Sequence, residues 1–120
     1  MTNRDFDIHE RIYRFVLAVL RLLKTLPRNS INENFIEQCS RSVTSVGAND
    51  QEADACQSKK DFLLKYGIAK KELKETLYWL RLVKDINFGL NKQVENLFGE
   101  GKQILLIVSK IIVNTKQRKI

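Results

Sequence analysis

Proline occurs once and glycine five times in 120 residues, so the chain has few places to turn and its elements must be few and long. Apolar and polar residues nowhere alternate over a useful length, which excludes half-buried strands; even the β-branched cluster from Ile104 to Val113 is spaced for a helix. The two cysteines, Cys39 and Cys56, form no CxxC pair and share the chain with one histidine, His9. Disulfide scaffolding and a structural zinc site are thereby excluded, and both are expected as reduced thiols. The longest unbroken apolar run, Phe15 to Leu20, is far short of a membrane span, and the opening M-T-N-R-D-F-D has no apolar signal region. A cytoplasmic location without membrane association is expected. No Gly-rich phosphate loop, metal-spaced ligand set or Ser-His-Asp arrangement occurs either, so no cofactor, metal, small-molecule substrate or enzymatic activity is expected.

What is present is helical periodicity. With 43% hydrophobic and 29% charged residues, one domain over residues 1–120 can bury a core unaided. Ile8, Ile12, Phe15, Val19, Leu22 and Leu26 recur at steps of three and four, widened by Tyr13, Val16 and Leu23, and predict a helix over 6–26 that Pro27 stops. A second helix, 32–54, is predicted to start at Asn32 as N-cap and to present Phe35, Ile36, Cys39, Val43, Val46 and Ala53 inward. Ser42, Ser45, Gly47, Ala48 and Asn49 make its inner side small, which permits close approach of a neighbour. Ser58 and Asp61 form an S-x-x-D start for a third helix over 58–86, with Phe62, Tyr66, Ala69, Leu73, Thr76, Leu80 and Val83 as its seam. Asn87-Phe88-Gly89 closes it. A fourth helix, 90–115, carries Leu90, Val94, Leu97, Gly101, Ile104, Val108 and Ile111, followed by a frayed basic tail, 116–120. Short connections make sequential helices antiparallel, so the expected fold class is all-α, an up-down-up-down four-helix bundle. Leu17, Leu20, Leu63, Tyr78, Trp79, Leu82 and Ile112 exceed one seam per helix and suggest a second buried face, hence self-association.

A net charge of +7 points to an anionic partner, because clustered Lys and Arg displace counterions from a phosphate backbone. The charge is uneven. The third helix carries Lys59, Lys60, Lys65, Lys70, Lys71, Lys74, Arg81 and Lys84 against four acids, whereas the second sets Arg41 alone against Glu33, Glu37, Asp50 and Glu52. With Lys116, Arg118 and Lys119 of the tail, the third-helix cations are the candidate nucleic-acid contacts. An RNP strand, a GxxG loop and a zinc knuckle are all absent, so binding is expected to be directed at backbone and shape. Tyr78 and Trp79 are read as packing residues rather than base-stacking ones. His9 is the obvious general base, yet no second catalytic group accompanies it, and it is read as structural or solvated. Glu72 and Glu75, three apart among Lys71, Lys74 and Arg81, are read as ordinary ion-pairing carboxylates.

The segment Arg41-Ser-Val-Thr-Ser-Val-Gly-Ala-Asn-Asp-Gln-Glu-Ala53, with Ser58-Lys-Lys-Asp-Phe62 and Lys71-Glu-Leu-Lys-Glu-Thr-Leu-Tyr-Trp-Leu80, resembles the "four helix bundle protein" family, also called 23S ribosomal RNA intervening-sequence proteins. The resemblance implies a left-handed bundle assembling as a ring-shaped homopentamer, with genes often embedded in inserts of ribosomal RNA genes and no established activity. Among its relatives it implies the accessory variability protein of diversity-generating retroelements, a similar basic pentamer that looks like a partner of nucleic acid and reverse transcriptase. Carried over by position, the motif comprises Arg41, Ser42, Ser45, Asn49 and Glu52 with Asp61, Lys65, Glu72, Glu75 and Trp79. Positions 42, 45, 49 and 52 share one helical face, so a polar strip at a helix or subunit contact is expected, with Glu72 and Glu75 serving Arg41 or Lys65. Asp50 stands where the family usually has an apolar residue. The expected function is a non-enzymatic homo-oligomer binding structured RNA through its basic surface; the alternative is an adaptor oligomer recruiting a protein such as a reverse transcriptase.

Overall fold

The computed structural model describes residues 7–118, and the expectations placed on Phe6 and Lys119 lie outside them. Four helices occupy the described residues: α1 (Ile8–Lys24), α2 (Ser30–Ala55), α3 (Lys59–Ile86) and α4 (Asn91–Gln117). Each packs on its sequence neighbour and α1 closes on α4, which is the up-down-up-down bundle, with α2 and α3 sharing the most extensive contact.

The ends of the helices follow local chemistry. Asp7 caps α1 by accepting from the Glu10 amide at 2.9 Å, and Ser58 caps α3 by accepting from the Asp61 amide at 3.1 Å. Helix α1 ends two residues before the predicted Leu26. Its last carbonyls are taken by the Thr25 and Leu26 amides, because a residue before proline avoids helical geometry. The start of α2 is corrected from Asn32 to Ser30: Asn29 is the N-cap, and its side chain accepts from the Asn32 amide at 2.8 Å. Asn32 is buried instead, exchanging two 2.9 Å hydrogen bonds with Asn87 and donating to the Pro27 carbonyl. Between α3 and α4 the chain reverses at Gly89, whose φ of +89° suits a residue without Cβ. Helix α4 runs on through Lys116 and Gln117, two residues of the predicted tail.

The core is the predicted one along every helix. Ile12, Phe15, Val19 and Leu22 of α1 meet Phe35, Cys39, Val43 and Val46 of α2, Tyr66, Leu73, Leu80 and Val83 of α3, and Val94, Ile104 and Val108 of α4. Two glycines set helix spacing. A Cβ on Gly47 would lie 3.3 Å from Val16, and one on Gly101 would lie 2.7 Å from Leu77 and 3.0 Å from Phe15. Burial pushes the Cys39 thiol up to about 12, so it stays protonated and packs as a small apolar group.

Two expectations about apolar residues change. Tyr13 does not widen the α1 stripe, because it lies beside Arg14 on the outer side and is exposed. Of the residues assigned to a second face, Leu20, Trp79, Leu82 and Ile112 pack against the core, Leu17 and Leu63 are half-buried outside it, and Tyr78 is exposed. Long helices in a four-membered bundle bury flanking positions as well as the seam. The large apolar side chains left in solvent are instead Tyr13, Ile31, Leu64, Tyr78, Ile86, Phe88, Leu106 and Val113.

Candidate nucleic-acid interface

Helix α3 presents three differently charged sides. Toward α2, Lys65 is held by Glu52 at 2.7 Å, and this contact keeps the ammonium charged above its ordinary range. Toward α4, Lys59 donates to the Lys116 and Arg118 carbonyls at 3.3 and 2.8 Å, a cation placed on the negative end of the α4 dipole. On the same side Lys84 lies 3.9 Å from Glu95. Away from the core, Lys60, Lys71, Lys74 and Arg81 are exposed and share one helical face, and Lys70 is half-buried at its edge. None of these five forms an ion pair among the described residues. The structure therefore divides the candidate cations into three with protein partners and five facing solvent, a division that spacing alone did not give. Lys116 and Arg118 are exposed at the end of α4, beside Lys59.

The α2 residues of the motif find their partners close by. The Ser42 and Thr76 hydroxyls are 2.7 Å apart in the buried α2–α3 seam; one donates to the other, and the second donates to a carbonyl of its own helix, Cys39 for Ser42 or Glu72 for Thr76. Asn49 donates to the carbonyl and hydroxyl of Ser45. Arg41 pairs with Glu37 one turn back, and Lys65 takes Glu52, so neither reaches Glu72 or Glu75 as expected. An i,i+4 partner on its own helix lies closer to Arg41 than a residue across the seam. Asp61 belongs to the first turn of α3 at the Ser58 cap. Glu72 has its carboxyl raised by burial and by the charge of Glu75, with Lys71 acting the other way. Trp79 is half-buried against Phe35, ring centroids 6.3 Å apart, and its indole N–H is buried without an acceptor among the described residues.

His9, read as isolated, is brought by the fold onto a buried carboxylate. Its Nδ1 lies 3.0 Å from both oxygens of Asp50, which is fully buried and also accepts from the Tyr66 hydroxyl at 2.7 Å; its Nε2 lies 3.3 Å from Asp54. Burial disfavours the charged imidazole, but the Asp50 hydrogen bond and the charges of Asp50, Asp54 and Asp7 outweigh it, so His9 titrates above its ordinary value. Tyr66 is pushed up by burial and by Asp50, and stays a donor. With a carboxylate beside each ring nitrogen, His9 is engaged on both sides, and the cluster ties α1, α2 and α3 together. An Asp at a seam position, in step with Val43, Val46 and Ala53, was the sequence signal for it. Beside it a groove of about 650 Å³ opens between α1 and α2, lined by Tyr13, Val16, Gly47 and Ala48. A second ion pair, Arg11 on Glu100 at 2.8 Å with Gln103 accepting at 3.0 Å, fastens α1 to α4. Among the described residues no three His, Cys, Asp or Glu side chains are placed to hold a metal ion, and no helix is long and apolar enough to cross a membrane.

These features define a class: an antiparallel four-helix bundle whose polar interior groups fasten helices to one another and whose unpaired cations line one outer face of α3. The sequence model of the family described as "23S rRNA-intervening sequence protein" matches residues 4–110, and the chain belongs to that family. It is similar to a crystal structure from Bacteroides thetaiotaomicron described as a protein of unknown function from the S23 ribosomal protein family. The two share 33% identity over 88% of this chain and 97% of that one, with a TM-score of 0.77. No curated protein matches the chain significantly.

Proposed function

We propose that this protein is a non-enzymatic, self-associating bundle that binds structured RNA through the outer face of α3 and the adjoining end of α4. The observation that carries the reading is the solvent-facing set Lys60, Lys70, Lys71, Lys74 and Arg81, cations without protein partners among the described residues. A solvated lysine face needs no such concentration on one helix, whereas a polyanion gains from it through counterion release. The family name, which refers to ribosomal RNA inserts, supports RNA as the polyanion. Self-association is supported by Leu106 and Val113, exposed one above the other on α4.

Five phosphate contacts correspond to a fall in log K of about 3.5–4.5 per tenfold rise in salt. Electrophoretic binding to ribosomal RNA fragments across a salt series reads this slope, and native mass spectrometry reads the assembly. Absent or salt-independent RNA binding overturns the reading. A protein partner recovered from cells regardless of nuclease treatment turns it toward an adaptor.

A further inference from the structure

Where α3 meets α4, two cations and one aromatic ring line the same concavity. A groove of about 350 Å³ is lined by Arg81, Lys84, Phe98 and Gly99, with Glu95 on its rim. Phe98 is half-buried there, and the Lys102 ammonium sits 5.4 Å from its ring centroid. Gly99 has nothing within 4 Å of where a Cβ would stand, which leaves the wall beside the ring low. Outside the groove, Tyr78 stands on the outer face of α3 between Lys74 and Arg81, more than half exposed and edge-on to Trp79, and Phe88 is fully exposed in the turn after α3. The interleaving of rings with phosphate-binding cations is what a single strand needs, because every base has a face to stack and every nucleotide a phosphate. A concavity of about 350 Å³ is within the size range of sites for small planar groups such as a single base. Glu95 disfavours a phosphate at one point of the rim, but it is itself within 3.9 Å of Lys84.

Resting on the RNA-binding reading above, we propose that the α3–α4 groove is a site for unpaired nucleotides. A base lies against Phe98, with neighbouring phosphates on Arg81 and Lys102 and a further base on Tyr78. Within a structured RNA the site selects loops and single-stranded junctions over stems.

The test uses the full chain and fluorescence anisotropy with two labelled probes of equal phosphate number, an oligouridylate and a blunt RNA duplex. The single strand is expected to bind about tenfold tighter. Phe98→Leu keeps the apolar volume but removes the aromatic face; it is expected to weaken single-strand binding about tenfold while leaving duplex binding and the salt slope unchanged. Tyr78→Ser, on the open surface, repeats the measurement should Phe98→Leu fold poorly. Arg81→Gln is expected to weaken both probes and lower the salt slope by about one. Equal or tighter duplex binding, or indifference to the loss of both rings, overturns the proposal while leaving RNA binding intact. Loss of binding accompanied by a smaller assembly in native mass spectrometry reassigns the groove to a subunit contact and also overturns it. No binding of either probe removes the RNA reading and this site with it.

Discussion

Asp50→Ala tests the clearest energetic claim of the structure. The carboxylate is fully buried, accepts from the Tyr66 hydroxyl at 2.7 Å and lies 3.0 Å from the His9 Nδ1. Removing it orphans a buried phenol and one cation. Breaking a buried charged pair costs about 3–5 kcal/mol. His9 keeps about a third of its surface in water, its side chain being 34% exposed, so the lower end applies, about 3 kcal/mol. For a domain of this size that is a fall in Tm of roughly 10–15 °C, read at one fixed protein concentration because any assembly shifts Tm by mass action. The pH dependence supplies an independent arm. Folded His9 holds its proton more tightly than unfolded His9, whose ordinary value is 6.5. Its contribution to stability is therefore complete below that value and is lost as pH rises through the elevated folded value. Urea unfolding of the parent should weaken as pH is raised across that window, and His9→Gln should flatten the dependence. A cost for Asp50→Ala below about 1 kcal/mol, or the same pH profile in His9→Gln and the parent, would falsify the account.

Two further stability predictions follow from the same packing. Gly101→Ala forces a methyl against Leu77 and Phe15 and should cost about 1–3 kcal/mol by urea unfolding despite better helix propensity, whereas Gly67→Ala, with nothing within 4 Å, should gain about 0.5–1 kcal/mol. Asn87→Leu removes the partner of buried Asn32 at the α2 start and should cost about 2–3 kcal/mol; Asn32→Leu with Asn87→Leu should cost less than the two single changes summed, as a double-mutant cycle would record.

The four helices, their seams and the Ser58 cap were legible because each rests on local chemistry: a period of three and four, a Ser before it, a proline after it. Ser58 capped as expected, and Leu73, Leu80 and Val83 were buried as their spacing required. Asn32 shows the limit of such reasoning. By type and position it resembles a cap, yet Asn29, three residues earlier, caps the helix by accepting from the Asn32 amide, and the Asn32 side chain is claimed by Asn87, fifty-five residues away. The charge total likewise marked α3 as basic but could not separate Lys65, which Glu52 occupies, from Lys71 and Lys74, which face water.

By itself the sequence determined that the chain makes four amphipathic helices, which apolar stripe each buries and which helix carries the positive charge, since these depend on residues within a turn or two of one another. Only the tertiary structure decided that Asp50 receives His9 and Tyr66, that Gly101 admits Leu77 and Phe15, and that Phe98 shares a groove with Arg81 and Lys84. Those pairings join different helices, and which polar groups meet across a seam depends on the rotation and offset of the helices, which periodicity leaves free.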